Sequence, residues 1–459
     1  MKKFFSLVLK FPSVLVIILA CLTIIQVHLN LSRYKSNDVI KWDVIGYYSY
    51  LPAVFIDNDV SLRFINPENQ DSYSGIKYGY VDDVHGNHII KYSMGMSILY
   101  SPFFFLAHIL STPLGYASDG FSDIYEFFIE FSGLFYLLLG FYFLRKLLLR
   151  FYDEKVAAVS ICLVFFGTNL LYYSTVEAAM SHAYTFSLFS IMLYFSVEAY
   201  QNLNLKNAII LAICYGLIIL IRPINVLLII PFLFFNVNTI ADIKNRFSFY
   251  KQNLKFVIVF LIISFFIVSF QLFYYKYVTG NYFVFSYGKE RFYFNHFHLV
   301  DILFSFRKGW LVYTPIMFFT LFGIFKMKLN SEFKTSIFIL LPIYLYMVSS
   351  WWCWWYGGSY SQRSLIDIYP LLSLPLASFI TYSMGFTKKS RQITFAGFTL
   401  LVLLSIIQTV QYKYNIIDFD GMTAKEYIHV FGSIDDKSID TTLLKKPNYD
   451  LAILGLENE

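Results

Sequence analysis

The sequence predicts an all-α polytopic membrane protein, on three observations. Hydrophobic residues make up 57% of the 459 and charged ones only 14%, against about 25% charged in a soluble domain. Apolar runs recur along the whole length, many of them close to the ~20 residues a helix needs to span the hydrocarbon layer. Lysines and arginines gather in the short connectors between those runs. Their placement, more than the modest net charge of +6, sets orientation in a bilayer.

The first run, 11–31, follows Lys2, Lys3 and Lys10. It is longer than a signal-peptide core and no small-residue cleavage site follows it, so it reads as a retained first helix. Further spans are expected at 124–144, 156–173, 179–200, 207–221, 223–237, 255–276, 310–325, 334–350, 365–386 and 391–411. The apolar piece 95–110 (GMSILYSPFFFLAHIL) is shorter and carries Pro102 and His108 in its interior.

Four connectors are rich in Lys and Arg: RKLLLRFYDEK (145–155), DIKNRFSFYKQNLK (242–255), KMKLNSEFK (326–334) and TKKSR (387–391). They share the cytoplasmic side with the N-terminal lysines only if 95–110 does not cross. We therefore expect 95–110 to be a juxtamembrane or re-entrant helix, which surrounding protein makes tolerable. The result is about eleven crossings, with the N-terminus inside. A membrane module covers 1–411, and 412–459 is a short polar extension outside, read as a small lid or an added strand–helix element. The loops 32–123, 277–309 and 350–364 then fall on the outer face.

The first outer loop opens with KWDVIGYYSYLPAVF (Lys41–Phe55), where Asp43 has two compatible readings. It caps a surface helix, or it takes a proton from a hydroxyl within hydrogen-bond reach. Further on, Gly86-Asn87 sits between two short extended runs and signals a hairpin, after which Lys91 and Tyr92 lead into 95–110. Glu177, in YYSTVEAAMSHAYTF (172–186) with His182, is an ionisable group at the membrane or a capping acid beside a satisfied histidine. Lys289, Glu290 and Arg291 form one charged knot, and Arg307-Lys308 another. Cations among aromatics suit a phosphate, although Lys308 reads best as snorkelling to head groups. Arg222-Pro223 breaks an apolar run, exposing a guanidinium or forming a plain hinge.

The stretch WWCWWYGGSYSQR (351–363) holds four of the six tryptophans. Interface anchoring is one reading. A binding wall is the other, because Gly357-Gly358 permits a positive φ and Arg363, then Asp367, follow. Of the four cysteines, Cys21, Cys162 and Cys214 lie in apolar runs as packing residues, and Cys353 sits at a boundary. No CxxC pair or metal spacing occurs, so neither cofactor nor metal is expected.

In order and placement these motifs resemble the GT-C superfamily, polytopic glycosyltransferases that use lipid-phosphate-linked sugars. The resemblance runs from the first crossing to about Ala377 and is closest to bacterial relatives of the protein mannosyltransferase and lipid A aminoarabinose transferase group. It rests on Asp43 with Tyr47-Tyr48, KYSMGMSILYSPF (91–103), Glu177, RKGWLVYTP (307–315) and WWYGGSYSQR (354–363). Where the family commonly has two adjacent acids, this chain has Asp43-Val44, so the base rests on one residue. The resemblance implies a GT-C-like bundle in a bacterial plasma membrane, working on the extracytoplasmic face. It implies a polyprenyl-phosphate sugar donor among the membrane lipids, an acceptor hydroxyl on a glycan, lipid or protein, and inversion at the anomeric carbon. Asp43 and Glu177 would be catalytic, with Asp43 the general base, its pKa raised by burial. Lys91, Arg291 and Arg363 would hold the donor phosphate, and Tyr47, Tyr48, Tyr92, His182, Trp354, Trp355, Gly357 and Gly358 would line the sugar. No nucleic acid is expected as a partner.

Other readings make different demands. A lipid-linked-sugar flippase calls for inverted repeats and broken midplane helices, and no convincing repeat is evident. An O-antigen polymerase or ligase favours a large outer loop late in the chain, whereas here it comes first. A membrane O-acyltransferase wants an intramembrane histidine, for which His182 and His108 are weak matches.

Overall fold

The computed structural model describes residues 10–65, 78–83, 85–328 and 331–456; the expected N-terminal lysines Lys2 and Lys3 lie outside them. The described chain is helical but for one hairpin, formed as Gly86-Asn87 predicts: β1 (Tyr80–Asp82) pairs antiparallel with β2 (His88–Ile90). In order, α1 is Pro12–Leu31, α2 Asp43–Tyr48, α3 Tyr50–Phe55, α4 Gly95–Ser111, α5 Asp123–Leu148, α6 Glu154–Phe166, α7 Ser181–Gln201 and α8 Leu205–Ile221. Then come α9 (Ile240–Gln252), α10 (Leu254–Thr279), α11 (Met317–Lys326), α12 (Lys334–Ser349), α13 (Tyr369–Met384) and α14 (Lys388–Lys413).

The ends of these helices follow local chemistry. Pro12 stands in the first turn of α1, where its missing N–H costs nothing. Asp153 and Thr387 accept from the third backbone amides of α6 and α14, and Thr239 and Asp242 build a capping box on α9. In α5 the first turn is acidic and the last basic, matching the helix dipole.

All four basic connectors lie at one end of the bundle. Phe151 packs on Phe333 at 6.2 Å, and Phe333 on Phe235 at 5.1 Å. Tyr200 stacks between Phe235 and Phe249 at 5.0 and 5.2 Å. Lys326 sits 4.0 Å over Tyr382 at the foot of α13, and Arg145 donates to Ser13 at the start of α1. Arg33, Asp43, Arg222 and Arg363 are at the opposite end.

Among the described residues six helical stretches are long and apolar enough to cross a membrane: Pro12–Lys35, Gly95–Leu114, Asp123–Leu148, Leu254–Thr279, Arg363–Met384 and Lys388–Lys413. Three expected spans are broken. The helix over 156–173 stops at Phe166 before Gly167; 223–237 opens as a 3-10 helix at Pro223; 310–325 is interrupted at Thr314-Pro315. The stretch 95–110 is longer than its sequence suggested, because a turn of 3-10 helix extends it to Leu114.

Packing nonetheless confines α4 to one half of the bundle. A side chain at Gly95 would collide with the backbone of Leu220-Ile221, at the far end of α8 from the basic connectors. From there α4 runs antiparallel to the first half of α5. Tyr136 donates to the Leu99 carbonyl at 3.1 Å, and the His108 ring meets the Tyr125 hydroxyl at 2.6 Å. Both ends of α4 therefore lie away from Arg145 and Lys146.

The C-terminal residues 414–456 pack on the loops at the site end. Their one longer helix, Ala424–His429, is flanked by short turns, and among the described residues they form no strand.

Candidate functional site

Asp43 opens α2, and the residues around it fix its direction. Glu126 accepts from the Val39 and Ile40 amides at 2.7 and 3.0 Å, anchoring the chain that leads in. Gly46 and Gly79 meet without side chains: a Cβ on Gly79 would lie 2.6 Å from the Gly46 backbone, and one on Gly46 would strike the Tyr92 ring. That close approach lets Tyr92 lie along α2 and donate to Asp43 at 2.7 Å. The other carboxylate oxygen pairs with Arg363 at 2.9 Å. Burial pushes the Asp43 carboxyl up, yet Arg363, the Tyr92 hydroxyl, Arg222 and Lys91 together outweigh it and hold it below the usual carboxylate range. The expected upward shift is thus corrected: the surrounding cations win.

Behind this pair lies a buried polar network. Asp367, wholly buried, accepts from Asn225 at 3.0 Å, meets His182 at 3.2 Å and pairs with Arg222 at 3.5 Å. Tyr344 donates to the Asn225 side-chain oxygen at 3.0 Å. Arg222 stands where α8 ends: its backbone is extended and Pro223 starts a 3-10 helix. Arg363 and Asp367 both belong to the 3-10 helix Arg363–Ile368.

The remaining expected residues divide. Tyr47 packs on Tyr92 with centroids 4.7 Å apart, on the site side. Tyr48 turns away, its hydroxyl donating to the Gly120 carbonyl at 2.5 Å. Lys91 pairs with Glu290 at 2.7 Å and lies over Tyr92 and Tyr287. Arg291 is exposed and reaches Tyr293 at 2.9 Å. Trp354 and Trp355 are fully buried; His298 stacks on the first, Tyr449 abuts the second, and Arg307 lies over both. Protein therefore occupies their faces. Trp351 touches Tyr287 at 5.8 Å, and Tyr287 in turn packs on Tyr92 at 5.9 Å. Gly357 takes a φ of +59°, as its pairing with Gly358 anticipated.

Glu177 sits in a second charged cluster. It pairs with Arg33 at 3.2 Å, and the same guanidinium binds Asp38 at 2.8 Å and the Val176 carbonyl. Burial raises the Glu177 carboxyl, and Arg33, shared with Asp38, does not fully offset it.

Arg307 and Lys308 are 3% and 1% exposed, so the expected snorkelling of Lys308 is corrected. Its ammonium donates to the carbonyls of Ser359 and Phe419. The C-terminal segment covers it, which its position beside a helix start could not reveal. Sequence reasoning also missed Arg33, Asn225, Tyr287 and Tyr344, ordinary residues whose partners lie far along the chain.

No protein-family model matches the sequence, and no curated protein matches it. The fold is similar to the crystal structure of ArnT from Cupriavidus metallidurans in the apo state, at 12% identity and a TM-score of 0.48, over 84% of this chain and 63% of that one. The chain thus spans less than two thirds of that protein's length.

Proposed function

We propose that this chain is a membrane glycosyltransferase that moves a sugar from a polyprenyl-phosphate donor to an acceptor hydroxyl. The observation that supports it most is Asp43, a carboxylate held between Arg363 and the Tyr92 hydroxyl with Arg222 and Lys91 close enough to act on its charge. Such a corner suits a hydroxyl nucleophile and a phosphate leaving group meeting at one carbon. The acceptor O–H gives its proton to Asp43, its oxygen bonds to the anomeric carbon, and the carbon–oxygen bond to phosphate breaks. The electron pair leaves with polyprenyl phosphate, stabilised by Arg363, Arg222 and Lys91, and the carbon inverts. Arg222 takes the place in this scheme first given to Arg291.

The depressed pKa of Asp43 among these cations fits that order of events. A phosphate engaging the same cations draws their field away from the carboxylate. Its proton affinity then rises toward what a base working near neutral pH needs. Glu177 is assigned a supporting part, holding the loop before α7 through Arg33. The basic connectors gathered at one end favour that end as cytoplasmic, which supports the reading that Asp43 works on the extracytoplasmic face of a bacterial plasma membrane.

The test is incubation of purified protein with radiolabelled polyprenyl-phosphate hexoses and pentoses. Sugar transfer, or release from the lipid, is expected from the wild type and lost in Asp43→Asn with folding intact. A fully active Asp43→Asn protein sinks the assignment. Movement of lipid-linked sugar across liposomes without bond cleavage would favour a flippase instead. Maleimide labelling of single cysteines placed at exposed positions of 277–309, such as Phe283, should succeed only from outside.

A further inference from the structure

The loop 356–363 that delivers Arg363 is not shaped by its own preferences. Tyr356, Gly357 and Ser361 have φ of +56°, +59° and +54°, two of them on side chains that disfavour the left-handed region. Contacts from outside the loop must hold it. Tyr360 donates its amide to Tyr173 at 2.8 Å, and Gln362 donates to the Trp354 carbonyl at 3.0 Å. Asn169 also donates to the Tyr360 carbonyl at 3.3 Å, and a further tie is Lys308, whose buried ammonium joins the Ser359 carbonyl, four residues before Arg363, to the Phe419 carbonyl of the C-terminal segment. A Cβ built on Gly358 would lie 3.5 Å from the Phe419 ring, so the two segments touch where Lys308 joins them.

A buried ammonium is costly, at several kcal/mol before its partners repay any of it. Here the acceptors belong to two segments far apart in the sequence, which also meet where Trp355 donates to the Tyr449 hydroxyl at 3.4 Å. The charged groups around it are Asp420 and Asp418 from the C-terminal segment, Arg307 beside it, and Arg363 itself. We propose that Lys308 is a positioning residue, and that through it the C-terminal segment holds Arg363 against Asp43. The catalytic part of this rests on the reading of Asp43 and Arg363 given above. Burial lowers the Lys308 ammonium to about 7, despite Asp420 and Asp418. The link weakens as pH rises through that value and the lysine loses its charge.

Two readouts on the full chain test it. Cys353 is buried under the same segments, and the Gly357 amide donates to its sulfur at 3.2 Å. With Cys21, Cys162 and Cys214 replaced by alanine, maleimide labelling of Cys353 at fixed pH is expected to quicken about tenfold in Lys308→Met, equal to ~1.4 kcal/mol of lost closure. Lys308→Arg should restore protection. In sugar release from the radiolabelled donors, the wild-type rate should fall on the alkaline side of about 7. That limb should move to higher pH in Lys308→Arg and to lower pH in Asp420→Asn, which removes a charge favouring the ammonium. Unchanged Cys353 protection in Lys308→Met, or an alkaline limb that stays put in both other variants, overturns the proposal. So does lower thermal stability with a pH profile that does not move. If Lys308→Met fails to fold, the other two variants decide. Cys353 exposure without sugar release from any variant would retire the transferase reading and leave the Lys308 link standing.

Discussion

The corners around Asp43 and Glu177 use the same parts, a carboxylate against an arginine, and arrive at opposite electrostatics. At Asp43 one carboxylate draws on several cations and a tyrosine hydroxyl. At Glu177 one arginine serves two carboxylates, with Asp38 taking part of its charge. Burial is common to both. The number of cations per carboxylate decides whether the carboxyl is held below or above its ordinary range.

Removing the Asp43 carboxylate should separate the corners most sharply. Asp43→Asn is expected to lower sugar transfer by about 10²–10⁴, the usual span for a lost general base, while Glu177→Gln keeps most of the rate. Equal losses in the two would erase the distinction. Next in size is Arg363→Met, which strands Asp43 half-buried without its main partner and should cost about 3 kcal/mol, read as a fall in midpoint temperature. The acid limb of the rate should also move to higher pH, since burial is then opposed only by the Tyr92 hydroxyl, Arg222 and Lys91.

The pH dependence of stability should carry opposite signs at the two corners. The Asp43 carboxyl is depressed by folding, so its contribution is present above the unfolded value of about 3.9 and lost as pH falls through the folded one. The Glu177 carboxyl is raised, so its contribution is complete below about 4.3 and lost as pH climbs through the folded value. Midpoint temperatures of wild type against Asp43→Asn and Glu177→Gln across this range should diverge in opposite directions. The smallest effect belongs to Arg291→Ala, an exposed change expected to stay within about 0.5 kcal/mol with little change in donor KM. A large rise in that KM would return Arg291 to the phosphate.

The sequence made legible whatever depends on composition and local order. The helical class, the hairpin at Gly86-Asn87, the basic connectors and the break at Arg222-Pro223 all follow from spacing or from single residues with strong backbone preferences. Asp43, Tyr92 and Arg363 stood out as polar groups in outer loops. What stayed hidden needs the third dimension. Asn225 and Tyr344 look like ordinary residues of apolar runs until Asp367 is brought to them. Trp354 and Trp355 looked like an open wall because nothing in their own stretch announces that Arg307 and Tyr449 cover them. The Asp43 pKa was misjudged for the same reason, since the cations that set it come from positions 91, 222 and 363.

Arg363 and Asp367 ride on one short 3-10 helix, the first reaching Asp43 and the second Arg222. A group that draws Arg222 away from Asp367 thus pulls on the element that holds Arg363 against Asp43. Under the proposed transfer from a lipid-phosphate donor to a hydroxyl, this sets a sequence of arrival. The phosphate-bearing one should enter first and loosen the carboxylate, and the hydroxyl should find its place only afterwards. Initial-rate kinetics should accordingly show compulsory-order addition, with polyprenyl phosphate competing against the donor at every acceptor concentration; random-order patterns would mean that the helix does not couple them.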